Sequence, residues 1–240
     1  MQEQFTRTAM LIGEDKIDLL ATKTVTIFGL GGVGGNAADA LARSGVGHFV
    51  LVDNDQVAAS NINRQLIADM GTVGRNKVDV MAEHILSVNP LAVVEKHKVF
   101  YLPEEAAGFN FAAYDYVVDA IDTVSAKIDI AVRCSEKGTP LISAMGCGNK
   151  LDPTLLRVTD LFTTHTDPLA KVMRRELKAR GVTKLKVVYS VEPPRTPLFD
   201  AEKEAGIATR RATPASSAFV PPVAGILLAH AVVKDLLGLD

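Results

Sequence analysis

Cysteine is scarce in this 240-residue chain. The two present, Cys134 and Cys147, form no C-x-x-C pair, which excludes a disulfide framework and a four-thiolate zinc site. Neither stands in a nucleophile context: Cys134 lies in a helical pattern and Cys147 in a Gly-rich turn without a neighbouring His. Aromatic residues make up only 5% of the chain, so extensive base stacking is not expected. Phe162, Tyr189 and Phe219 are the candidates for holding a base, and each reads first as core. The N-terminus, M-Q-E-Q-F-T-R-T, has no apolar signal core. The longest apolar stretch, residues 220–233, carries two prolines and His230 and is too short to cross a bilayer. A cytoplasmic location with no membrane partner is the default expectation. No charge sign dominates either: the formal net charge is −2, so any nucleic-acid contact must be a local patch. Repeats and low-complexity tracts are absent. Hydrophobic content of 48% and charged content of 22% suit a folded soluble protein.

What the chain has is residues 25–35, V-T-I-F-G-L-G-G-V-G-G. Apolar residues run into glycines, and a helix-forming segment follows. Gly29, Gly31 and Gly34 have G-x-G-x-x-G spacing, which serves a sharp turn, close approach of backbone to an anion, and close helix–strand packing. The helix that follows points unpaired N–H groups and its positive dipole end at that anion. A second strand, residues 48–52, ends in Asp53, where an acid can hold ribose hydroxyls. The first half therefore reads as a nucleotide-binding unit. The glycines alone do not separate NAD from ATP, and a structural Gly-rich turn is the plain alternative.

Elsewhere strands and helices alternate. Short helices occupy residues 5–22, helices cover 33–44, 77–88 and 127–137, and strands cover 93–100, 114–120 and 140–144. Later come a strand at 155–159, a helix at 167–180 opened by Asp167-Pro168, and a strand at 184–190. Residues 192–222 read as a long, partly mobile crossover loop, followed by an apolar helix at 223–237 that packs into the body. This is an α/β fold, a doubly wound Rossmann-like, mostly parallel sheet with helices on both faces and a C-terminal extension facing the substrate. The expected organisation is one domain over residues 1–240, with a nucleotide-binding part to about residue 150.

Three features point away from a plain nicotinamide dehydrogenase. The loop after Asp53 carries Asn61, Arg64 and Gln65 near a strand's C-terminal end. Lys77 opens a helix, where a surplus cation opposes the dipole unless an anion shares the site; a solvated lysine is the alternative. Asp122 ends another central strand, where a carboxylate can hold magnesium, while Asp119 lies nearer the sheet and reads as structural. A triphosphate with Mg2+ needs this set more than a dinucleotide does.

The ordered runs G-x-G-G-V-G, L-V-D-x-D, N-x-N-R-Q, G-x-x-K and D-A-I-D, over about residues 7–148, resemble the ubiquitin-activating-enzyme-like superfamily. That superfamily includes the adenylating enzymes of thiamine and molybdopterin synthesis. The later runs V-G-R-N-K-V-D-V-M, G-N-K-L-D-P-T, D-P-L-A-K-V-M-R-R-E-L-K, L-K-V-V-Y-S and A-F-V-P are similar to its tRNA threonylcarbamoyladenosine dehydratases. The resemblance implies ATP-dependent adenylation of the threonylcarbamoyladenosine carboxylate in a tRNA anticodon loop, then intramolecular ring closure. It implies that Gly29, Gly31, Gly32 and Gly34 line the phosphates, and that Asp53 holds the ribose beside Asp55. It further places Asn61, Arg64 and Gln65 along the triphosphate, with Lys77 on the phosphates and Asp122 on Mg2+. Arg7 matches an arginine that crosses a two-fold interface, which implies a homodimer; a surface residue is the alternative. Sulfur-relay or cysteine desulfurase proteins are possible partners. Several departures stand out. The C-x-x-C pairs of zinc-binding relatives are missing, so no zinc is expected. Gly35 replaces a common small polar residue, and the tail is short.

Lys171, Arg174, Arg175 and Lys178 fall at i, i+3, i+4 and i+7, one stripe of a helix, with Glu176 opposing. On a slightly acidic protein this is a candidate tRNA phosphate footprint; an ordinary solvated face is the alternative. Three rival functions remain: activation of the C-terminal glycine of a small sulfur-carrier protein, a nicotinamide dehydrogenase, and an idle adaptor that binds ATP and tRNA.

Overall fold

A computed structural model describes residues 2–199 and 213–239. Among the described residues seven strands form one sheet in the order β3-β2-β1-β4-β5-β7-β6. They are β1 (Thr24–Phe28), β2 (His48–Val52), β3 (Val93–His97), β4 (Tyr116–Asp119), β5 (Leu141–Ala144), β6 (Leu156–Asp160) and β7 (Lys186–Ser190). All neighbours run parallel except β6 on β7. The order reverses between β1 and β4, so the mouth of the sheet where ligands of such folds sit lies beyond the ends of these two strands.

Among the described residues the α-helices are α1 (Thr6–Ile12), α2 (Glu14–Ala21), α3 (Gly34–Ser44), α4 (Lys77–Val88), α5 (Val124–Lys137), α6 (Pro168–Ala179) and α7 (Val220–Leu237). Gly45 and Gly138, both left-handed, end α3 and α5. Two elements start three residues earlier than the apolar pattern indicates. In α7 the two prolines sit in the first turn, where the missing N–H costs nothing, so they open the helix instead of preceding it. In α5, Val124 follows directly on the strand-end turn. At 18 residues, α7 is long and apolar enough to cross a membrane, longer than the uninterrupted apolar run. Here it is a core helix: Val220, Ala224, Leu228 and Val232 are fully buried. Gly225 lets it lie against α3, since a Cβ there would come 2.2 Å from the Val33 carbonyl oxygen.

One face of the sheet packs on α3, α4 and α7 through Ile27, Leu41, Leu51, Met81 and Leu228. The opposite face carries an aromatic cluster in which Phe28 meets Tyr101, edge-on at 4.8 Å, with Phe109 and Phe111 around it. A third cluster joins α5 and α6 to β7 through Met173, Leu177 and Val187. Burial of each such side chain contributes about 1.5–3 kcal/mol.

Strand β3 is shorter than the alternating pattern indicates and forms one edge of the sheet. Glu95 and Lys96 on it are exposed. Lys96 and Lys98 both reach Asp79 on α4, at 2.8 and 2.6 Å, and hold its carboxyl down at about 2.

Candidate functional site

The glycine segment folds as its spacing requires. Gly29 has φ +87°, and a Cβ there would lie 2.7 Å from the Ala120 carbonyl oxygen. A Cβ on Gly34 would lie 1.8 Å from Gly29 O and 3.2 Å from the Ala120 side chain. The β1 loop, the start of α3 and the turn after β4 are thus in backbone contact. A Cβ on Gly31 would meet only the Gln65 amide nitrogen, at 3.8 Å, so this position opens toward the cradle. Gly32 faces Arg64 and Pro221.

The end of β2 closes the cradle. Asp53 accepts from the Leu30 N–H at 2.7 Å and the Asp55 N–H at 2.8 Å. Burial raises its pKa; the Lys77 charge and the two N–H groups oppose that shift. Lys77 is 5% exposed and donates to Asp55 at 2.7 Å. It is therefore neither a solvated lysine nor a fully surplus cation: Asp55 balances it, and the pair sits beside Asp53. The 3₁₀ turn Ala59–Asn61 leads into Arg64, whose guanidinium donates to Ser60 O and Asn63 Oδ1, both at 2.9 Å. Partial burial lowers the Arg64 pKa. Asn61 Oδ1 accepts from the Ala58 N–H at 3.1 Å, so this side chain braces its own turn. Gln65 is buried with Oε1 lacking a partner among the described residues. An orphaned buried amide beside an open glycine position fits a ligand with its own donors or a bound ion's water.

Asp122 is exposed, one residue past the turn that touches Gly29. Asp119 is structural. It is fully buried and pairs with Lys127 at 2.9 Å, accepting also from Ser143 Oγ at 2.5 Å. Lys127 further donates to the Ile121 carbonyl at 3.1 Å, fixing the turn that carries Asp122. Lys127 has a sequence signal: it falls on the buried stripe of α5 with Ala126, Ile130, Ala131 and Cys134. Arg7 is exposed on α1, and no described contact links it to the cradle.

Beyond β5, buried charged side chains add to the backbone hydrogen bonds. Lys150, 3% exposed, donates to Gly146 O at 2.6 Å and pairs with Asp167 at 2.9 Å. Asp167 also caps α6 by accepting from Ala170 N–H. Glu192 accepts from the Leu151 and Asp152 N–H groups. Cys147 is buried and its thiol is pushed up to about 11; burial pushes Cys134 up to about 12. Neither supplies a thiolate near neutral pH.

The basic stripe on α6 is only partly as its spacing indicates. Lys171, Arg175 and Lys178 are exposed, but Arg174 is half-buried and donates to Thr164 O at 2.9 Å and to Thr164 Oγ1. Glu176 takes both Arg175, at 2.7 Å, and Arg180, at 2.9 Å. Arg174 therefore braces the fold, and the stripe's outward charge is reduced. A cavity of about 490 Å3 lies elsewhere, between α4 and β3, lined by Arg75, Asp79, Leu86 and Lys96 and by none of the cradle residues. Among the described residues no three His, Cys, Asp or Glu side chains are grouped to hold a metal ion.

The profile of the ThiF family matches residues 5–240. The chain is 44% identical to the tRNA threonylcarbamoyladenosine dehydratase of Bacillus subtilis, over 99% of this chain and 96% of that one. It is 41% identical to the enzyme of the same name from Escherichia coli, over 76% of this chain and 69% of that one. Among solved structures, E. coli tRNA N6-threonylcarbamoyladenosine dehydratase, TcdA, in complex with ATP superposes with a TM-score of 0.88 at 34% identity, covering 98% of this chain and 94% of that one.

Proposed function

The chain belongs to the ThiF family, and from that premise we propose that it is an ATP-dependent tRNA threonylcarbamoyladenosine dehydratase. The observation that carries this reading is the extent of the likeness: it runs through the second half of the chain as well as the nucleotide cradle. A nicotinamide dehydrogenase leaves the cradle cations Lys77 and Arg64 without a triphosphate to meet; an idle adaptor that binds ATP would use the same cradle and is separated from an enzyme by turnover. A sulfur-carrier adenylyltransferase would share only the cradle.

The carboxylate of threonylcarbamoyladenosine is a poor electrophile because its oxygen is a poor leaving group. ATP, as co-substrate, supplies AMP to that oxygen, pyrophosphate departs, and internal attack closes the ring as AMP leaves. The chain's own residues position and neutralise charge. Open backbone at Gly31 and the N-terminus of α3 receive phosphates, with Gly32 lining the same loop against Arg64 and Pro221. Asp53 accepts from ribose hydroxyls, which the existing N–H bonds orient it to do. Lys77 and Arg64 are the cations of the cradle, and Asn61 and Gln65 the neutral polar groups. Asp122, exposed on a turn fixed by Lys127, is the carboxylate that would hold Mg2+. Gly29 and Gly34 keep the loops at contact distance. No thiol takes part.

The finer assignments follow from the same reading. Lys171, Arg175 and Lys178 meet tRNA phosphates, with Arg174 bracing their helix. Four phosphate contacts would give a log–log salt slope of about −3; with Arg174 held by Thr164 and Arg175 paired with Glu176, a shallower slope is expected. Arg7 completes the cradle of a partner copy in a homodimer, and the enzyme works in the cytoplasm. Mass spectrometry of tRNA nucleosides after incubation with ATP tests the reaction: loss of one water from threonylcarbamoyladenosine supports it, and an unaltered nucleoside refutes it. Mixing an Arg7→Ala chain with an Asp122→Ala chain tests the dimer. Recovered activity supports a shared site, and none counts against it.

A further inference from the structure

The returning limb of the crossover, residues 213–219, is fastened from two sides. Toward β5, the Asn149 N–H donates to Ala215 O at 2.7 Å, and Asn149 Oδ1 accepts from the Ala215 N–H at 2.7 Å. The outgoing limb is tied to the same residue, since the Arg195 N–H donates to Asn149 O at 2.8 Å. Asn149 adopts φ +61°, a left-handed conformation that asparagine tolerates better than most residues. Its neighbour Gly148 admits the limb closely: a Cβ there would lie 2.7 Å from the Pro214 side chain. Toward the cradle, Asn63 Nδ2 donates to Ser216 O at 3.0 Å, and a Cβ on Gly32 would lie 3.1 Å from Pro221. The limb therefore spans from the phosphate-facing glycines to the end of β5, where the group to be adenylated must enter.

At the end of this limb stands Phe219, 61% exposed, although the next residue, Val220, is fully buried. The other two aromatic candidates are committed to the core: Tyr189 is 4% exposed, and Phe162 packs against the α5–α6 cluster. An aromatic ring held out to solvent beside a nucleotide cradle, on a backbone braced at Ala215 and Ser216, offers a pre-positioned stacking face. We infer that Phe219 stacks on a base of the acceptor RNA, and that Asn149 is a positioning residue that holds the limb presenting it. This rests on the RNA reading above. The acceptor carries a purine next to the carboxylate that must reach ATP, so a π face beyond the phosphates fixes the distance between the two. A second copy of the chain covering Phe219 is the competing occupant.

The chain contains no tryptophan, so Phe219→Trp installs a single tryptophan at this position, which can be excited selectively above the tyrosine band. Titration with an anticodon stem-loop containing threonylcarbamoyladenosine is expected to quench it saturably, whereas ATP alone does not. Phe219→Leu keeps apolar bulk but loses the ring face; its KM for the stem-loop should rise about 5- to 150-fold, the range of one lost base stack. Its ATP affinity by calorimetry should be unchanged, and Phe219→Trp should restore the KM. Asn149→Ala should raise the same KM, and Asn149→Asp, which keeps an acceptor and tolerates the left-handed backbone, should restore it. An unchanged KM in Phe219→Leu, a fluorescence change with ATP alone, or a shift in oligomeric state on gel filtration of Phe219→Leu would each overturn the inference. The wild-type chain on the same stem-loop separates the two levels. If it dehydrates the nucleoside while Phe219→Leu keeps its KM, only the stacking role fails; if it leaves the nucleoside intact, the RNA reading itself fails.

Discussion

Backbone packs against backbone where the loops after β1 and β4 touch, with the buried Asp119–Lys127 pair fixing the turn from behind; beyond β5 a buried pair and a helix cap join segments with no such steric contact between glycines. At the first place, Gly29 and Gly34 leave no room for a methyl group against Ala120 and each other. At the second, Lys150, Asp167 and Gly146 form a chain of charged hydrogen bonds that ends in the cap of α6. The contrast teaches that one active-site mouth can be held by two kinds of force with opposite weaknesses. The steric side fails when an atom is added. The electrostatic side fails when an atom is removed, because a buried charge without its partner costs several kcal/mol while the intact pair contributes little net stability.

The largest effect that would sharpen this contrast is expected at Asp167. Asp167→Ala orphans Lys150 and uncaps α6, and should cost about 4–6 kcal/mol in urea unfolding, the sum of a broken buried pair and a lost cap. Lys150→Met combined with Asp167→Asn should cost clearly less than that single change. If the double variant is the worse of the two, the electrostatic account of this region is wrong. Next comes Lys77→Met, which should lower ATP–pyrophosphate exchange by about 10²- to 10³-fold, with little change in the urea midpoint because Asp55 is half-solvated. On the steric side, Gly34→Ala should destabilise by about 1–3 kcal/mol or more through overpacking and abolish ATP binding together. Gly31→Ala meets only the Gln65 amide at 3.8 Å, so calorimetry should show ATP affinity falling while the melting temperature holds. Equal losses of stability in both glycine variants would break the distinction between a packing glycine and a ligand-facing one. The smallest effect is expected at Cys147, where a thiol pushed up to about 11 by burial stays protonated at neutral pH. Cys147→Ala should keep its activity, and iodoacetamide should label the wild-type residue only after unfolding.

The same division governs what could be read in advance. The glycine turn, Asp53 and the start of α4 at Lys77 were legible because local spacing dictates them: a strand's end, a turn and a helix's start are neighbours in sequence. The strand alternation likewise indicated the doubly wound sheet. Lys127, Lys150 and Asn149 were not singled out, since their partners Asp119, Asp167 and Ala215 come from other elements and no spacing rule links them. Arg174 misled for a related reason. Its place on the helical stripe is right, but Thr164, ten residues back, claims the guanidinium. Phe219, a candidate for holding a base that reads first as core, has its ring outside, on a limb braced at Ser216.

One of the two edge strands, β3, has one side without a hydrogen-bonding neighbour among the described residues. Glu95 and Lys96 occupy that rim, and Lys96 and Lys98 are anchored to Asp79. A strand from another molecule would have to strip water from these charges before it could pair. At this edge of the sheet the charges oppose ladder-by-ladder growth.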